Sequence, residues 1–323
     1  MSDTFIFEQL PNEIFQELFE YFHTYELYEI FSQLNSRFNF NIKNFKYLQL
    51  ILYSPEDINH RKNQFFLSKI KTLIIDHTKY LYDPIKPPLF LHIRCLILCQ
   101  PTREQWNSIH PFHFPYLERL HLINSRFIYR TEQLCRFIFS NQFRYLYSCS
   151  LPHISYDINN QWTGSIHLQI LTISIWDIRV YTQILHNCPN LIRLKIELSG
   201  GNNQENLPLC NTNEIHSNLR YLTFYSSNSI TCELIDSILS FVPNLIQFLL
   251  RSNHQPPNHI SVNKLASILE SRTSKLNRIN IDITVPDDLC CKEVIDTKYL
   301  LFKSYKIQSK LNRPTKLLIV DSV

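Results

Sequence analysis

The chain has 323 residues, of which 44% are hydrophobic and 19% charged. This composition supports a large apolar core and excludes a disordered polyelectrolyte. The formal net charge of +4 is too small for this length to indicate nucleic-acid binding by itself. Only three glycines occur, whereas a phosphate-binding loop needs several glycines at fixed offsets. Most nucleotide-dependent enzymes are therefore excluded, and the length indicates one large domain or two unequal ones.

The nine cysteines have no paired CxxC spacing. This distribution favours buried small hydrophobic residues in a reducing compartment over disulfides or metal ligands. The first residues lack the basic start and apolar core of a signal peptide. No uncharged apolar stretch approaches the roughly 20 residues that span a bilayer. We therefore expect a soluble chain without a membrane partner, located in the cytoplasm, the nucleus or both.

Residues 10–40 have the periodicity of two amphipathic helices. Pro11 and Glu13 suit the first turn of the first helix, where a missing N–H costs nothing and a negative charge complements the helix dipole. The second helix is predicted at about 25–38, with Thr24 as its N-cap. Each helix has one apolar stripe, formed by Ile14, Phe15, Leu18, Phe19 and Phe22 in the first and by Leu27, Ile30, Phe31, Leu34 and Phe38 in the second.

From about residue 65 an apolar-x-x-apolar-x-apolar hexamer recurs. It occurs nine times, beginning at Ile70, Ile93, Leu117, Leu146, Leu168, Leu191, Leu219, Leu245 and Leu276. Successive starts are 22 to 31 residues apart, close to the period of about 20–29 residues that is typical of leucine-rich repeats. The last three positions alternate as a half-buried strand requires. Stacked units would therefore share one core and one parallel sheet.

The segments between the hexamers supply the elements that return the chain to the next strand. Residues 231–242 have helical periodicity, whereas the polar stretch 201–216 is predicted to be a surface loop. Phe45, Leu48 and Leu50 indicate an additional repeat before the first hexamer, and Lys316–Val320 indicates a strand that caps the last one. The position that usually holds Asn or Cys has a small hydrogen-bonding residue in six of nine repeats, which predicts contacts with backbone groups at the strand ends.

The N-terminal residues resemble the F-box. The segment from Leu10 to Ile14, LPNEI, followed by Leu18, Phe22, Leu27 and the LNSRF stretch of residues 34–38, carries the resemblance over about residues 8–45. The chain departs from the motif at Glu26, where the family often has Asp, and at residues 34, 35 and 38, where the family has Val-Cys and Trp. Joined to leucine-rich repeats, the resemblance implies a family of substrate receptors of cullin ubiquitin ligases.

The predicted fold class is therefore α/β with two domains. A small all-helical F-box module is expected at 5–45, and a leucine-rich-repeat domain with nine or more degenerate repeats is expected at 46–323. The repeat domain would be a parallel-strand horseshoe with helices or irregular segments on its convex side.

In the F-box family, the apolar start and the helices dock on the Skp adaptor, which links to a cullin scaffold. The resemblance implies adaptor contacts for Leu10, Pro11, Ile14, Leu18, Phe22, Leu27 and Ile30. The alternative interpretation is that the same apolar residues pack on the first repeat or form the core of the module. The protein would then be a non-catalytic repeat scaffold without ligase association.

The sequence contains no recognisable catalytic or metal-binding constellation. The thirteen histidines include no HExxH arrangement, and no G-x-S-x-G segment occurs. We therefore expect neither an enzyme nor a cofactor, and no catalytic or metal-ligating residue is assigned. A nucleic-acid partner is disfavoured because acidic residues interrupt the basic positions of the predicted strands.

A target-binding site is predicted on the concave face of the sheet. Arg193, Lys195 and Tyr221 come from adjacent predicted strands and would form one patch, with Tyr225 beyond the end of the second strand. A guanidinium beside an ammonium suits a carboxylate or a phosphate, although Glu197 would neutralise the patch by pairing with Lys195. We therefore predict a protein target with an acidic or phosphorylated segment.

Overall fold

The computed structural model describes residues 10–32, 34–45, 48–53, 69–76, 92–123, 132–154, 162–199, 215–227, 230–252, 262–284, 305–308 and 316–320. These residues contain eight helices and twelve strands. The chain divides into two units, Met1–Tyr129 with Phe143–Leu146, and Arg130–Gln142 with Tyr147–Val323.

The first unit opens with three short helices, α1 (Asn12–Phe19), α2 (Thr24–Phe31) and α3 (Ser36–Asn44). The prediction of one helix at 25–38 is therefore wrong. A new helix begins after Asn35, because the Asn35 side chain accepts a hydrogen bond from the Phe38 N–H at 3.1 Å and caps α3.

The cap of α2 also differs from the prediction. His23 occupies the N-cap position, and its N–H donates to the Glu26 carboxylate at 2.8 Å. Thr24 is fully buried, and its hydroxyl donates to the Gln49 carbonyl. Because this contact joins α2 to the first strand, the helices and the strands of this unit share a packing contact.

Phenylalanine rings form the core of the three helices. The ring centroids of Phe15 and Phe38 are 4.7 Å apart, and those of Phe19 and Phe31 are 5.2 Å apart. Phe31 also stacks on Phe38 at 5.6 Å. All four side chains are less than 5% exposed, so burial of aromatic surface and favourable ring geometry stabilise the arrangement together.

Four parallel strands follow in the first unit: β1 (Leu48–Leu52), β2 (Ile70–Asp76), β3 (Cys95–Cys99) and β4 (Arg119–Ile123), with α4 (Arg103–Ser108) between the last two. Strand β1 contains Leu48 and Leu50, and it pairs with β2 in parallel as the predicted additional repeat requires. The repeating strands predicted from the sequence therefore begin just after the three helices.

The second unit continues the pattern. Its elements are α5 (Glu132–Phe139), β5 (Ser148–Ile154), β6 (Ile170–Ile175), α6 (Arg179–Asn187), β7 (Arg193–Leu198), β8 (Tyr221–Ser226), α7 (Cys232–Ser240), β9 (Gln247–Ser252), α8 (Val262–Arg272), β10 (Arg278–Thr284), β11 (Tyr305–Gln308) and β12 (Lys316–Val320). From β5 to β10, each strand pairs in parallel with the next one along the chain. Strand β12 pairs antiparallel with β10, and β11 pairs antiparallel with β12.

These elements confirm the main predictions about the fold. All nine hexamers coincide with strands, from β2 to β10. The predicted helix at 231–242 is α7, the predicted capping strand is β12, and β7 pairs with β8 in parallel. The chain is therefore α/β with parallel strands in each unit. The predicted loop at 201–216 lies almost entirely outside the described residues.

Asparagine amides join successive repeats of the second unit. Asn190, Asn218 and Asn244 each immediately precede a hexamer. Their amide groups donate to backbone carbonyls of the preceding repeat at 2.8, 2.9 and 3.1 Å respectively. At the other end of β8, the Ser227 hydroxyl donates to the Leu198 carbonyl at 3.1 Å. This last contact is of the kind predicted for small polar residues after the strands.

A buried histidine joins two repeats near α6. His216 is 5% exposed, and its Nε2 lies 2.9 Å from the Cys188 carbonyl. Its Nδ1 accepts a hydrogen bond from the Leu219 N–H at 3.0 Å. This pair of contacts requires the neutral ring, because a proton on Nδ1 would face an N–H donor. Burial lowers the pKa of His216 below its ordinary value.

The lowered pKa of His216 makes stability depend on pH. Below about pH 6.5 the unfolded chain binds a proton at this residue that the folded chain does not bind. The stabilising contribution is therefore present above about pH 6.5 and is lost as the pH falls toward the folded pKa. We expect urea unfolding to show a steeper loss of stability from about pH 7.5 to 5.5 in the wild type than in His216→Gln. Equal slopes would contradict this account.

Candidate protein-binding surfaces

Helix α1 has apolar residues on two sides. Phe15 and Phe19 are fully buried. On another side, Ile14 and Leu18 are four residues apart and share one face of α1; Pro11, directly before the helix, and Tyr21, in the turn after it, extend this row by three residues at each end. Ile14 is 42% exposed and Tyr21 is 85% exposed. We call these four residues the outer α1 stripe. The sequence predicted one apolar stripe on this helix. The structure instead has two apolar sides, one buried and one exposed.

The structure divides the predicted adaptor-binding residues into three groups. Pro11, Ile14 and Ile30 are exposed, and Leu10 and Leu18 are half-buried. Further exposed apolar side chains, which the sequence did not single out as adaptor contacts, belong to Tyr21, Leu34 and Phe40. The remaining two predicted residues, Phe22 and Leu27, face the interior to different degrees.

Leu27 belongs to the core rather than to the surface. Together with Thr24 and Phe31 it forms the buried side of α2, because spacings of three and four residues return to the same helix face. Its side chain is 0% exposed and presents no area to a partner. Phe22 is half-buried, and its ring packs edge-on against Phe31 at 5.5 Å. The inward side of α2 thus includes one of the residues predicted to contact the adaptor.

Arg37 fixes the start of α1 against α3. Its guanidinium donates to the Leu10 carbonyl at 2.6 Å and to the Asn12 side-chain oxygen at 3.0 and 3.2 Å. The Asn41 amide donates to the same Asn12 oxygen at 3.0 Å. The Arg37 guanidinium also lies over the Phe15 ring, 5.4 Å from its centroid. These contacts hold the backbone that carries Leu10 and the outer α1 stripe, a role that the sequence pattern did not indicate for Arg37 or Asn41.

The second surface is the exposed face of β7 to β10 in the second unit, which we call the strand face. Parallel pairing aligns its residues in three rows across the strands. The first row is Arg193, Tyr221, Gln247 and Arg278; the second is Lys195, Thr223, Leu249 and Asn280; the third is Glu197, Tyr225, Arg251 and Asp282. The alternate residues of these strands are buried, so the three rows contain the side chains that solvent can reach.

Cations on the strand face lie over tyrosine rings. The Arg193 guanidinium is 4.8 Å from the centroid of Tyr221, and the Lys195 ammonium is 5.1 Å from that of Tyr225. The Arg251 guanidinium lies 5.6 Å from the same Tyr225 centroid. Each distance is within the range of an attractive cation–π interaction. The structure therefore brings together the four predicted target-binding residues in two centres, one at each tyrosine.

Two details of the predicted patch are corrected. Tyr225 lies inside β8, directly opposite Glu197, and not beyond the end of the strand. Glu197 does not pair with Lys195: its carboxylate accepts a hydrogen bond from the Ser174 hydroxyl on β6 at 3.4 Å, whereas Lys195 lies over Tyr225. The acidic group therefore turns to one side of β7 and the ammonium to the other.

The acidic residues of the strand face are confined to its third row. Asp282 forms an ion pair with Arg251 at 3.2 Å, and Glu197 is the other acid of this row. The first two rows contain Arg193, Lys195 and Arg278 without an acidic residue. In the described part of the chain, no carboxylate forms an ion pair with Arg193 or Lys195. The strand face is thus positive at Arg193 and Arg278 toward the beginning of its strands, while the Lys195 ammonium lies over Tyr225 in the third row.

The described residues contain no group of three or more His, Cys, Asp or Glu side chains that could hold a metal ion. Six described cysteines are free thiols, and five of them are buried. Burial raises the pKa of the Cys149 and Cys188 thiols, which keeps them protonated and unsuited to nucleophilic chemistry. The burial of these cysteines fits the prediction that they serve as small hydrophobic residues.

The described residues define an α/β protein of repeated parallel strands, with one exposed apolar surface on α1 and one exposed surface rich in cations and tyrosines on β7 to β10. Neither a family model nor a curated protein matches the chain. None of the helices within the described ranges is long and apolar enough to cross a membrane. The functional interpretation therefore depends on the two surfaces themselves, the outer α1 stripe and the strand face.

Proposed function

We propose that this chain is the substrate-recognition subunit of a Skp–cullin–F-box ubiquitin ligase. The three helices act as an F-box module that docks on the Skp adaptor, and the strands belong to a leucine-rich-repeat horseshoe that binds a protein target. The chain itself is not an enzyme. It holds the target at high effective concentration near a ubiquitin-charged partner bound elsewhere on the scaffold.

The observation that carries this proposal is the exposed apolar side of α1. Phe15 and Phe19, with Phe31 and Phe38, already provide the core of the helices, so packing within the module does not account for Ile14 and Tyr21 on the exposed side. Apolar anchors that become buried on association dominate the energetics of many protein interfaces. The Leu10-to-Ile14 segment that resembles the F-box start lies at this side, and Arg37 holds it in place.

A specific contact favours the alternative function of a repeat scaffold with a helical cap. The buried Thr24 hydroxyl donates to the Gln49 carbonyl of β1, and a cap of the repeats needs such a contact. A cap, however, does not need a second apolar side on α1. Adaptor binding distinguishes the two functions, because a ligase receptor binds the adaptor and a repeat scaffold does not.

The proposal is tested by co-expressing the tagged chain with the Skp adaptor and purifying the chain by its tag. The receptor is expected to retain the adaptor in a complex of equal stoichiometry through gel filtration. Target binding is measured separately with the variant Arg193→Glu/Lys195→Glu. Proteins that co-purify through the strand face should be lost from this variant, whereas the adaptor should be retained. A chain that folds but elutes without the adaptor is a scaffold.

A further inference from the structure

The positions of the cations on the strand face carry an inference about the target, which rests on the proposed function. We infer that the strand face binds an extended target segment through two carboxylate side chains four residues apart, one at Arg193 and one at Lys195. The sequence left open whether the target is acidic or phosphorylated. The position of each cation over a different tyrosine decides between these alternatives.

The two cations are held apart by the tyrosines of β8. Arg193 lies over Tyr221, and Lys195 lies over Tyr225, four residues further along the same strand. Four residues of an extended strand span about 13 Å. Cation–π contacts with rigid rings favour these separated positions. Because each cation lies over a different one of these tyrosines, a ligand segment that follows β8 would present its two anionic groups at a similar spacing, that of same-side residues i and i+4 of an extended segment.

A single phosphate fits this arrangement less well. A phosphate carries close to two negative charges and three acceptor oxygens, and it is best bound where several cations converge. The centre at Tyr221 contains one guanidinium, whose planar edge matches one carboxylate. The centre at Tyr225 contains Lys195 and Arg251, but Arg251 already pairs with Asp282. Each centre thus has one cation that is not in an ion pair with a described residue.

The neighbouring acids define the side from which a carboxylate binds at Lys195. Glu197 is turned toward Ser174 on β6, and Asp282 lies on β10 beyond Arg251. Because both acids lie to the sides of β8, an anion directly over β8 is attracted by Lys195 and Arg193 and is repelled least by Glu197 and Asp282. A segment that follows β8 along its length satisfies both centres. Single-stranded nucleic acid fits less well, because its closely spaced phosphates would meet both acids.

The test is selection of 12-residue peptides from a random display library on the full-length chain. We expect selected peptides to be enriched in pairs of Asp or Glu at i and i+4. Synthetic versions of them should lose at least tenfold in affinity when one acid of the pair moves to i+2, or when the protein carries Arg193→Glu/Lys195→Glu. Arg136→Glu, an exposed charge reversal on α5, is the matched control and should bind as the wild type does.

Four results would overturn the inference. Three concern peptides: none is selected, the selected peptides lack the acidic pair, or one phosphoserine in place of both acids binds at least tenfold more tightly. Stronger binding of a single-stranded oligonucleotide than of the selected peptides would also overturn it. Circular dichroism of the variants establishes that they are folded. Peptide binding does not involve the adaptor. A negative peptide result would therefore overturn only this inference, and the proposed ligase association is tested separately by co-purification of the adaptor.

Discussion

Replacing Tyr181 with alanine is expected to lower the free energy of unfolding of the second unit by about 4 kcal/mol, the usual cost of removing a large buried ring. Tyr181 lies on α6 and is 0% exposed. Its ring packs edge-on against Phe241 at 6.0 Å, and its hydroxyl donates to the Ile238 carbonyl on α7 at 3.0 Å. One side chain therefore joins the helices of two repeats through both apolar and polar contacts.

The conservative variant separates the two contributions. Tyr181→Phe keeps the ring and removes only the hydroxyl, so we expect a loss of about 1–2 kcal/mol from the unmade hydrogen bond. Hydrogen exchange of the amides in α6 and α7 under urea measures the free energy of unfolding of the second unit by itself. A separate measurement is needed because a chain of two units need not unfold in one step. A loss below about 1 kcal/mol in Tyr181→Ala would show that α6 and α7 are not coupled through this residue.

Replacing Ile14 with glutamate is expected to weaken adaptor binding by at least about 100-fold, because the interface would then bury a carboxylate without a partner. Ile14 is 42% exposed in the outer α1 stripe. Its replacement leaves the phenylalanine core unchanged, so the melting temperature should stay within a few degrees of the wild type. The affinity is measured by isothermal titration of the purified adaptor into each variant.

Gln16→Glu is the matched control for Ile14→Glu. Gln16 is exposed on the same helix but lies outside the outer α1 stripe, and the substitution adds the same charge. We expect this control to bind with the affinity of the wild type. Equal losses in both variants would indicate a general effect of negative charge on α1, and no loss in either would place the adaptor site elsewhere.

The sequence predicted the strands well because their signal is geometric and repeated. The last three positions of each hexamer are buried, more exposed and buried, and the same alternation recurs nine times at similar spacing. A single chance match carries little weight, but stacked repeats need each other's apolar edges, so the pattern recurs along the chain. Even β1 and β12, which fall outside the nine hexamers, were predicted from short apolar runs, and for β1 the run also begins about one repeat length before the first hexamer.

The candidate surfaces were predicted less well, because periodicity does not identify which side of a helix is buried. From its sequence alone, α2 gives no sign whether Leu27 or Ile30 faces the core. Its contacts with β1 and with the phenylalanines of α1 and α3 decide the question. The break before α3 depends on one capping hydrogen bond from Phe38 to Asn35, which a helical stripe spanning both residues conceals. The sequence pattern also does not show in which direction a long side chain extends. Lys195 lies opposite Thr223 in register, yet its ammonium lies over Tyr225.

The most direct measurement of the central claim is the affinity of the wild-type chain for the purified Skp adaptor. We expect a one-to-one complex with a Kd below about 1 μM, the range of a specific interface formed around buried apolar anchors. The complex should also elute as a single species in gel filtration. Separate elution of the two proteins at concentrations of about 50 μM, with the chain folded, would contradict the account. The helices would then be a cap of the repeats and the protein a scaffold.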